Sequence, residues 1–264
     1  MRQQKPDSAN KTPQGLLTLA TRQPKLATGI LAISVIGWLF LAWIAVDMSQ
    51  PFAQLTMPDS SQWGAASVLA IWTMWALMMA AMMLPSALPM ILTFVDLGVR
   101  TAEPARGRSF VAAYLFVWFA FSAGATAAQW VLQAMGWVNP MIVSSSALLT
   151  ALLLLIAGAY QFSRLKQVCL SRCRTPMGFL LGEWRAGVYG AFVMGVRHGL
   201  FCVGCCWALM ALLFVGGVMN LAWVAALSIT VAIEKLAPRG ERLASALGLG
   251  LIAAGLAKLL VLVS

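Results

Sequence analysis

The sequence predicts an all-α polytopic membrane protein, a bundle of about seven transmembrane helices with a cytoplasmic N-terminus and an outward C-terminus. Three observations carry this prediction. Hydrophobic residues make up 61% of the 264 residues and charged residues only 10%, whereas a soluble domain carries about 25% charge. Apolar stretches of about 20 residues, the length that crosses a bilayer as a helix, recur along the chain. Basic residues alternate in abundance between the segments that join these stretches.

The apolar stretches give the predicted spans. Seven of them are long enough to cross a bilayer, and they lie near residues 26–46, 66–93, 110–134, 142–162, 187–215, 218–236 and 243–263. Prolines, polar side chains and five basic residues fill residues 1–25. That composition predicts a disordered basic tail in the cytoplasm, followed by one transmembrane helical domain over residues 26–264.

The distribution of basic residues predicts the orientation of the bundle. Lysine and arginine collect in the N-terminal tail, in segments 94–109 and 163–186, and in a group formed by Lys235, Arg239 and Arg242. Segments 47–65, 135–141 and 216–217 contain neither residue. Because cytoplasmic loops are enriched in lysine and arginine, this alternation gives the stated topology. The net charge of +10 is therefore explained by membrane topology. The expected partner is the lipid bilayer, and no nucleic acid is expected to bind.

Arg197 lies inside the predicted fifth span, next to His198. A charged side chain at membrane depth requires a partner. The acidic residues that the sequence offers near that depth are Glu234, Asp96 and Asp47, and one of them is expected to pair with Arg197.

The stretch HGLFCVGCCW, residues 198–207, holds the only histidine and three of the five cysteines. At helical spacing Met194, His198 and Cys202 share one face, and Cys205 and Cys206 stay close to it. Imidazole, thiolate and thioether form a soft donor set that suits copper(I), or another thiophilic ion such as mercury or zinc, better than calcium or magnesium. Packing is the alternative interpretation, because free cysteine also behaves as a small buried hydrophobe.

The second predicted span contains WTMWALMMAAMMLPSALPM, in which Met78, Met79, Met82 and Met83 stand near the middle of the helix. This helix runs inward and the fifth runs outward, so these thioethers and Cys202 are expected at similar depth. Methionine is also a flexible packing residue. The stripe is therefore either a second set of soft-metal ligands or core.

The third motif is a C-x3-C pair, Cys169 and Cys173, at the expected inner end of the fourth span. The two residues share a helical face, and Lys166, Arg172 and Arg174 flank them. Nearby positive charge favours the thiolate. In a reducing cytoplasm such a pair indicates metal binding or redox chemistry rather than a structural disulfide, with incidental loop cysteines as the alternative.

Three stretches together, WTMWALMMAAMMLPSALPM, AGAYQFSRLKQVCLSRCRTP and GVRHGLFCVGCCWALM, resemble the family of predicted metal-binding integral membrane proteins. The resemblance extends from about residue 66 to 236 and implies a multi-pass protein of the bacterial inner membrane that binds a metal. It implies no catalysed reaction. In layout the chain is also similar to mercuric-ion transport proteins, which place one cysteine pair inside a span and another on the cytoplasmic side. It differs from them in span number, in the methionine-rich helix and in His198.

Three functions remain open at this point. The first is binding and transport of a soft metal ion, copper(I) before mercury or zinc. The mid-membrane cluster would bind the ion, and Cys169 with Cys173 would pass it to a metal carrier protein of the cytoplasm or periplasm. No nucleotide-binding loop of the G-x-x-x-x-G-K-[ST] type occurs, so transport would be passive, ion-coupled or driven by a partner. The second is a membrane thiol oxidoreductase that uses Cys202 with Cys205, and the third is a structural or assembly subunit.

Overall fold

A computed structural model describes residues 13–59, 63–98 and 104–263, and within these ranges the chain forms helices and no strand. The predicted all-α class is confirmed. The helices, in chain order, are α1 Pro13–Arg22, α2 Pro24–Val46, α3 Pro51–Thr56, α4 Ala65–Gly98, α5 Pro104–Ala134, α6 Ala147–Tyr160, α7 Arg164–Arg174, α8 Pro176–Glu183, α9 Gly187–Ala211, α10 Leu213–Gly216, α11 Leu221–Leu236 and α12 Gly240–Val263.

Five segments of the described chain are long and apolar enough to cross a membrane. They are Pro24–Val46, Ala65–Gly98, Ala105–Ala134, Gly187–Gly216 and Gly240–Leu262. A sixth arises if α6 and α7, which are bent by 63° at their junction, form one broken span. The predicted sixth span corresponds to α11, which has only 16 residues, fewer than the roughly 20 that a straight crossing takes. The described helices therefore give five or six candidate spans where the sequence predicts about seven.

The N-terminal segment differs from the predicted disordered tail. Residues 1–12 lie outside the described part of the chain, but Pro13–Arg22 forms α1. Leu19 and Ala20 pack against the hydrophobic core, and Arg22 Nη1 lies 3.5 Å from Asp96 Oδ2 at the end of α4. These apolar and charged contacts order a helix where composition alone indicates a flexible tail.

Helix α4 is the central helix of the bundle. It is buried along most of its length and continues through Pro85 and Pro89. Helix α5 packs against both α4 and α9, α2 covers another side of α4, and α12 packs against α6. The methionine-rich segment of α4 is buried in the interior of the bundle, and α11 also packs against α4.

Two glycines allow α9 to approach α5 closely. A Cβ atom at Gly195 would lie 2.4 Å from the carbonyl oxygen of Phe110, and one at Gly199 would lie 2.8 Å from Cβ of Val117. A backbone oxygen cannot move aside as the end of a side chain can. The α5–α9 contact therefore depends on the missing side chain at residue 195.

We expect Gly195→Ala to lower the free energy of unfolding in detergent micelles by about 1–3 kcal/mol, the usual effect of overpacking. Gly124→Ala, on the open side of α5 with no atom near its added Cβ, is the matched control and should be neutral or stabilise by about 0.5–1 kcal/mol. Equal effects of the two substitutions in denaturant unfolding would contradict the close approach.

Candidate metal centre

Three thiols lie on the buried face of α9. Cys202, Cys205 and Cys206 are each only 1% exposed. The thiols of Cys205 and Cys206 donate hydrogen bonds to the carbonyl oxygen of Cys202, at 3.1 and 3.0 Å. These bonds hold the two thiols close to the helix, one turn beyond Cys202. The sulfur of Cys202 is left to contact other helices.

Two polar side chains from other helices reach the sulfur of Cys202. The ammonium nitrogen of Lys235, at the end of α11, lies 2.9 Å from it, and the hydroxyl oxygen of Tyr114, on α5, lies 3.1 Å from it. The Tyr114 hydroxyl also donates to the carbonyl oxygen of Met83 at 3.2 Å. Cys202 is thus the point where α4, α5, α9 and α11 meet.

Lys235 belongs to the centre of the site, although its place in the sequence groups it with the basic residues that predict topology. Its side chain is buried, with 6% of the residue exposed. Its ammonium nitrogen lies 3.1 Å from the hydroxyl of Ser86 and 4.0 Å from the sulfur of Met83. A buried ammonium requires a partner of opposite sign, and the Cys202 sulfur, which accepts its hydrogen bond, is placed to be that partner as a thiolate.

The C-x3-C pair lies against this cluster. The sequence predicts a separate site for it, at the inner end of the fourth span. Helix α7 turns away from α6 and packs on α9. The Cys173 side chain interacts with those of Cys202 and Cys205, and the sulfur of Cys169 lies 2.7 Å from where a Cβ of Gly204 would stand. Cys169 is buried and Cys173 is partly exposed. All five cysteines are free.

His198 lies one turn before Cys202 on α9, in an aromatic environment. It is 2% exposed, and its ring centroid lies 6.0, 5.6 and 5.6 Å from those of Phe110, Tyr114 and Phe179. Its Nδ1 atom has no hydrogen-bond partner among the described residues. The imidazole consequently has a nitrogen that could bind an ion.

The candidate methionines lie at different distances from the cysteines. Met78, Met79, Met82 and Met83 are all buried in the core, and Met83 shares the Lys235 ammonium with Cys202. Met194, toward the start of α9, has a sulfur that accepts the backbone N–H of Arg185 at 3.4 Å. The structure therefore connects one methionine of α4 to the thiol cluster, through the Lys235 ammonium.

The acidic residues have partners other than those predicted. Arg197 pairs with Glu183 at the end of α8, so the prediction of Glu234, Asp96 or Asp47 is wrong. Helix α8 folds back beside the start of α9 and supplies an acid closer in sequence. Glu234 instead pairs with Lys166 at 2.7 Å, both side chains being 2% exposed. Lys166, like Lys235, is thus an interior charge and not a loop residue.

No three histidine, cysteine, aspartate or glutamate side chains of the described chain are already arranged to hold a metal ion. The soft donors that do meet, the sulfurs of Cys202 and Met83, meet at the Lys235 ammonium. Two side chains of this centre, Tyr114 and Lys235, carry no signal in the sequence motifs. An adjacent Glu-Lys pair ending an otherwise apolar helix is the one local pattern that could have indicated Lys235.

A comparison with protein families gives one match, to PpoB2, described as copper chaperone, over residues 72–258. The match covers more than half of the chain and contains every candidate ligand from Met78 to Cys206. No curated protein and no solved structure matches the chain.

Proposed function

The chain belongs to the copper chaperone family, and from this premise we propose that it is a membrane protein that binds copper(I) through sulfur ligands and passes the ion to a carrier protein. Several long apolar helices are compatible with a multi-pass membrane protein, and the family relates the chain to copper. The ligands, the oxidation state, the transfer route and the topology are the parts that we propose here.

One observation carries the proposal: a cysteine sulfur and a methionine sulfur approach the same buried lysine nitrogen. The sulfurs of Cys202 and Met83 lie 2.9 and 4.0 Å from the Lys235 ammonium. Thiolate and thioether are ligands that select copper(I). As a thiolate, Cys202 would supply the negative charge that balances copper(I), and the two sulfurs would supply its soft ligands.

The neighbouring donors complete the proposed ligand set. Cys205, Cys206 and His198 lie within two turns of Cys202 on α9. Along the buried face of α4, Met83 is followed by the thioethers of Met82, Met79 and Met78. On α9, Met194 lies two turns before Cys202. Each of these methionines can hold the ion before or after the cysteines do. Mercury and zinc also bind thiolates, but the thioethers favour copper(I) over zinc.

Transfer is proposed to proceed through Cys173. It is the most exposed of the cysteines, and it interacts with Cys202 and Cys205. An ion on Cys202 can therefore gain Cys173 as a ligand before it loses its first one, with Cys169 next to it on α7. A cytoplasmic or periplasmic carrier would then take the ion from Cys173.

The proposed setting is the inner membrane of a bacterium, with seven spans, a cytoplasmic N-terminus and an outward C-terminus. The alternation of basic and non-basic segments supports this orientation. Helix α11 would cross as a short span, and α6 with α7 as a broken one. The basic residues 1–25 form the N-terminal segment in the cytoplasm and residues 26–264 the membrane domain.

Metal analysis of the purified, copper(I)-loaded protein tests the proposal. The wild type should retain stoichiometric copper(I), Cys202→Ser/Cys205→Ser should retain none, and Cys169→Ser/Cys173→Ser should bind the ion but transfer it slowly. A wild type without copper that instead forms a mixed disulfide with a substrate thiol would favour a thiol oxidoreductase. Neither metal nor disulfide would favour a structural subunit.

Met83→Leu should weaken copper(I) binding by about tenfold to a hundredfold. Loss of a residue that only supports a metal ligand already has an effect of this size, and loss of a ligand should have at least as large an effect. Competition with a chromogenic copper(I) chelator measures the affinity. Met135→Leu is the matched control, since Met135 is 52% exposed at the far end of α5. Equal affinities of the two variants would remove Met83 from the ligand set.

A further inference from the structure

We infer that Lys235 is the counter-cation of the copper site: its ammonium holds the place of the ion on the Cys202 thiolate in the empty protein and returns to it as the ion leaves. The inference rests on the proposed copper(I) function. It assigns a role in ion release to Lys235, which the distribution of basic residues alone would assign to membrane topology.

The position of the ammonium supports this role. Lys235 Nζ lies 2.9 Å from the sulfur of Cys202, 4.0 Å from that of Met83 and 3.1 Å from Ser86 Oγ. An ion bound to both sulfurs would lie between them, on the side where the ammonium now stands. The ammonium and the ion therefore exclude one another from that position.

The neighbouring charges leave Cys202 as the anion for Lys235. The carboxylate of Glu234 is engaged by Lys166 at 2.7 Å. Tyr114 is the other polar group that reaches the Cys202 sulfur, and its neutral hydroxyl cannot balance a charge. The ammonium–thiolate pair is thus the charge balance of the empty site.

The displaced ammonium has a place to go. Ser86 is already in contact with it. The carboxylate of Glu234 interacts electrostatically with Lys235 as well as with Lys166. A shift toward Ser86 and Glu234 would free the sulfurs while keeping the ammonium beside negative charge.

The exchange also indicates the charge of the cargo. With a monovalent soft ion on Cys202, the cluster of Cys202, Lys235, Glu234 and Lys166 carries one excess positive charge. A divalent ion would give the same cluster two excess charges in an apolar interior, which is more unfavourable. The site is therefore better matched to copper(I) or silver(I) than to zinc(II).

The rate of copper(I) release tests the inference. Protein loaded with copper(I) is mixed with excess chromogenic chelator, in the range where the rate no longer depends on chelator concentration. Lys235→Leu should release the ion at least about tenfold more slowly, because the departing thiolate loses the tethered charge that would pair with it. Lys235→Arg should retain fast release, and Lys258→Leu, an exposed lysine on α12, should match the wild type.

The outcomes separate this inference from the proposed function. If the wild type binds no copper(I), the proposed function fails. If the wild type binds copper(I) and Lys235→Leu releases it as fast or faster, the proposed function stands and the role of Lys235 is wrong. Slow release in Lys235→Arg as well would also contradict a role for the charge.

A second measurement needs no variant to fold for its main result. In wild-type protein labelled with ¹⁵N-lysine, stoichiometric silver(I) should shift one lysine side-chain resonance, and zinc(II) should not. Lys258→Leu should keep that resonance. An unchanged lysine spectrum in protein that has bound silver(I) would show that the ammonium does not yield its place to the ion, and an equal shift with zinc(II) would overturn the charge match.

Discussion

Glu234→Gln is expected to lower the free energy of unfolding by about 3–5 kcal/mol, because it leaves the Lys166 ammonium buried without a charged partner. The Lys166–Glu234 pair joins α7 to α11 at 2.7 Å, and both side chains are 2% exposed. Because both side chains are buried, water cannot take the place of the lost carboxylate beside Lys166. Denaturant unfolding in mixed micelles, followed by tryptophan fluorescence, measures the change.

Two further variants separate burial from charge. Lys166→Met/Glu234→Leu removes both charges and should recover most of the lost stability, since apolar replacement of a buried pair is often neutral or stabilising. Glu183→Gln removes the partner of Arg197, whose side chain is 44% exposed, and should change stability by about 0–1 kcal/mol. A large loss of unfolding free energy in Glu183→Gln, with none in Glu234→Gln, would contradict the burial that the structure assigns to the two pairs.

Cys202→Ser is expected to have two large effects, loss of copper(I) binding and a loss of about 3–5 kcal/mol in the free energy of unfolding. The hydroxyl of serine is neutral at physiological pH, so the Lys235 ammonium would stay buried without an anion. Copper(I) retention after gel filtration measures the first effect and denaturant unfolding in micelles the second.

The double variant Cys202→Ser/Lys235→Leu distinguishes the two effects. Removal of the ammonium should restore most of the stability, while the missing thiolate should keep the protein free of copper(I). A coupling energy near zero in this double-mutant cycle would mean that Lys235 and Cys202 are not a charge pair. Recovery of copper(I) in the double variant would mean that Cys202 is not a ligand.

Much of the fold follows from hydropathy and much of the packing does not. The long apolar runs predict α2, α4, α5, α9 and α12 to within a few residues, because each needs only one continuous stretch. The bend between α6 and α7 is different. Ser163 caps α7 by accepting the backbone N–H of Lys166 at 3.1 Å, a local signal of a new helix. The 63° angle depends on α9, which lies beyond α7 in the chain.

The candidate site was predictable in its sulfur residues and not in its polar ones. Helical spacing places Cys202, Cys205 and Cys206 on one face, and their burial agrees with that expectation. Tyr114 is 88 residues from Cys202 and has no motif that relates it to a cysteine. Lys235 lies near the end of α11, and a lysine there can extend toward water or toward the interior. Its basic neighbours in the sequence favour extension toward water. The structure shows extension toward the interior, where the Cys202 sulfur lies within hydrogen-bond distance.

The packing of α7 on α9 has a consequence for how far a copper ion would travel. If Cys173 stood at a membrane surface and Cys202 in the middle of a helix bundle, transfer between them would need a conduit with ligands along it. Because the Cys173 side chain interacts with those of Cys202 and Cys205, the proposed transfer needs only an exchange of ligands between neighbouring side chains. The packing of α7 on α9 itself brings the partly exposed thiol of Cys173 to the buried thiol of Cys202.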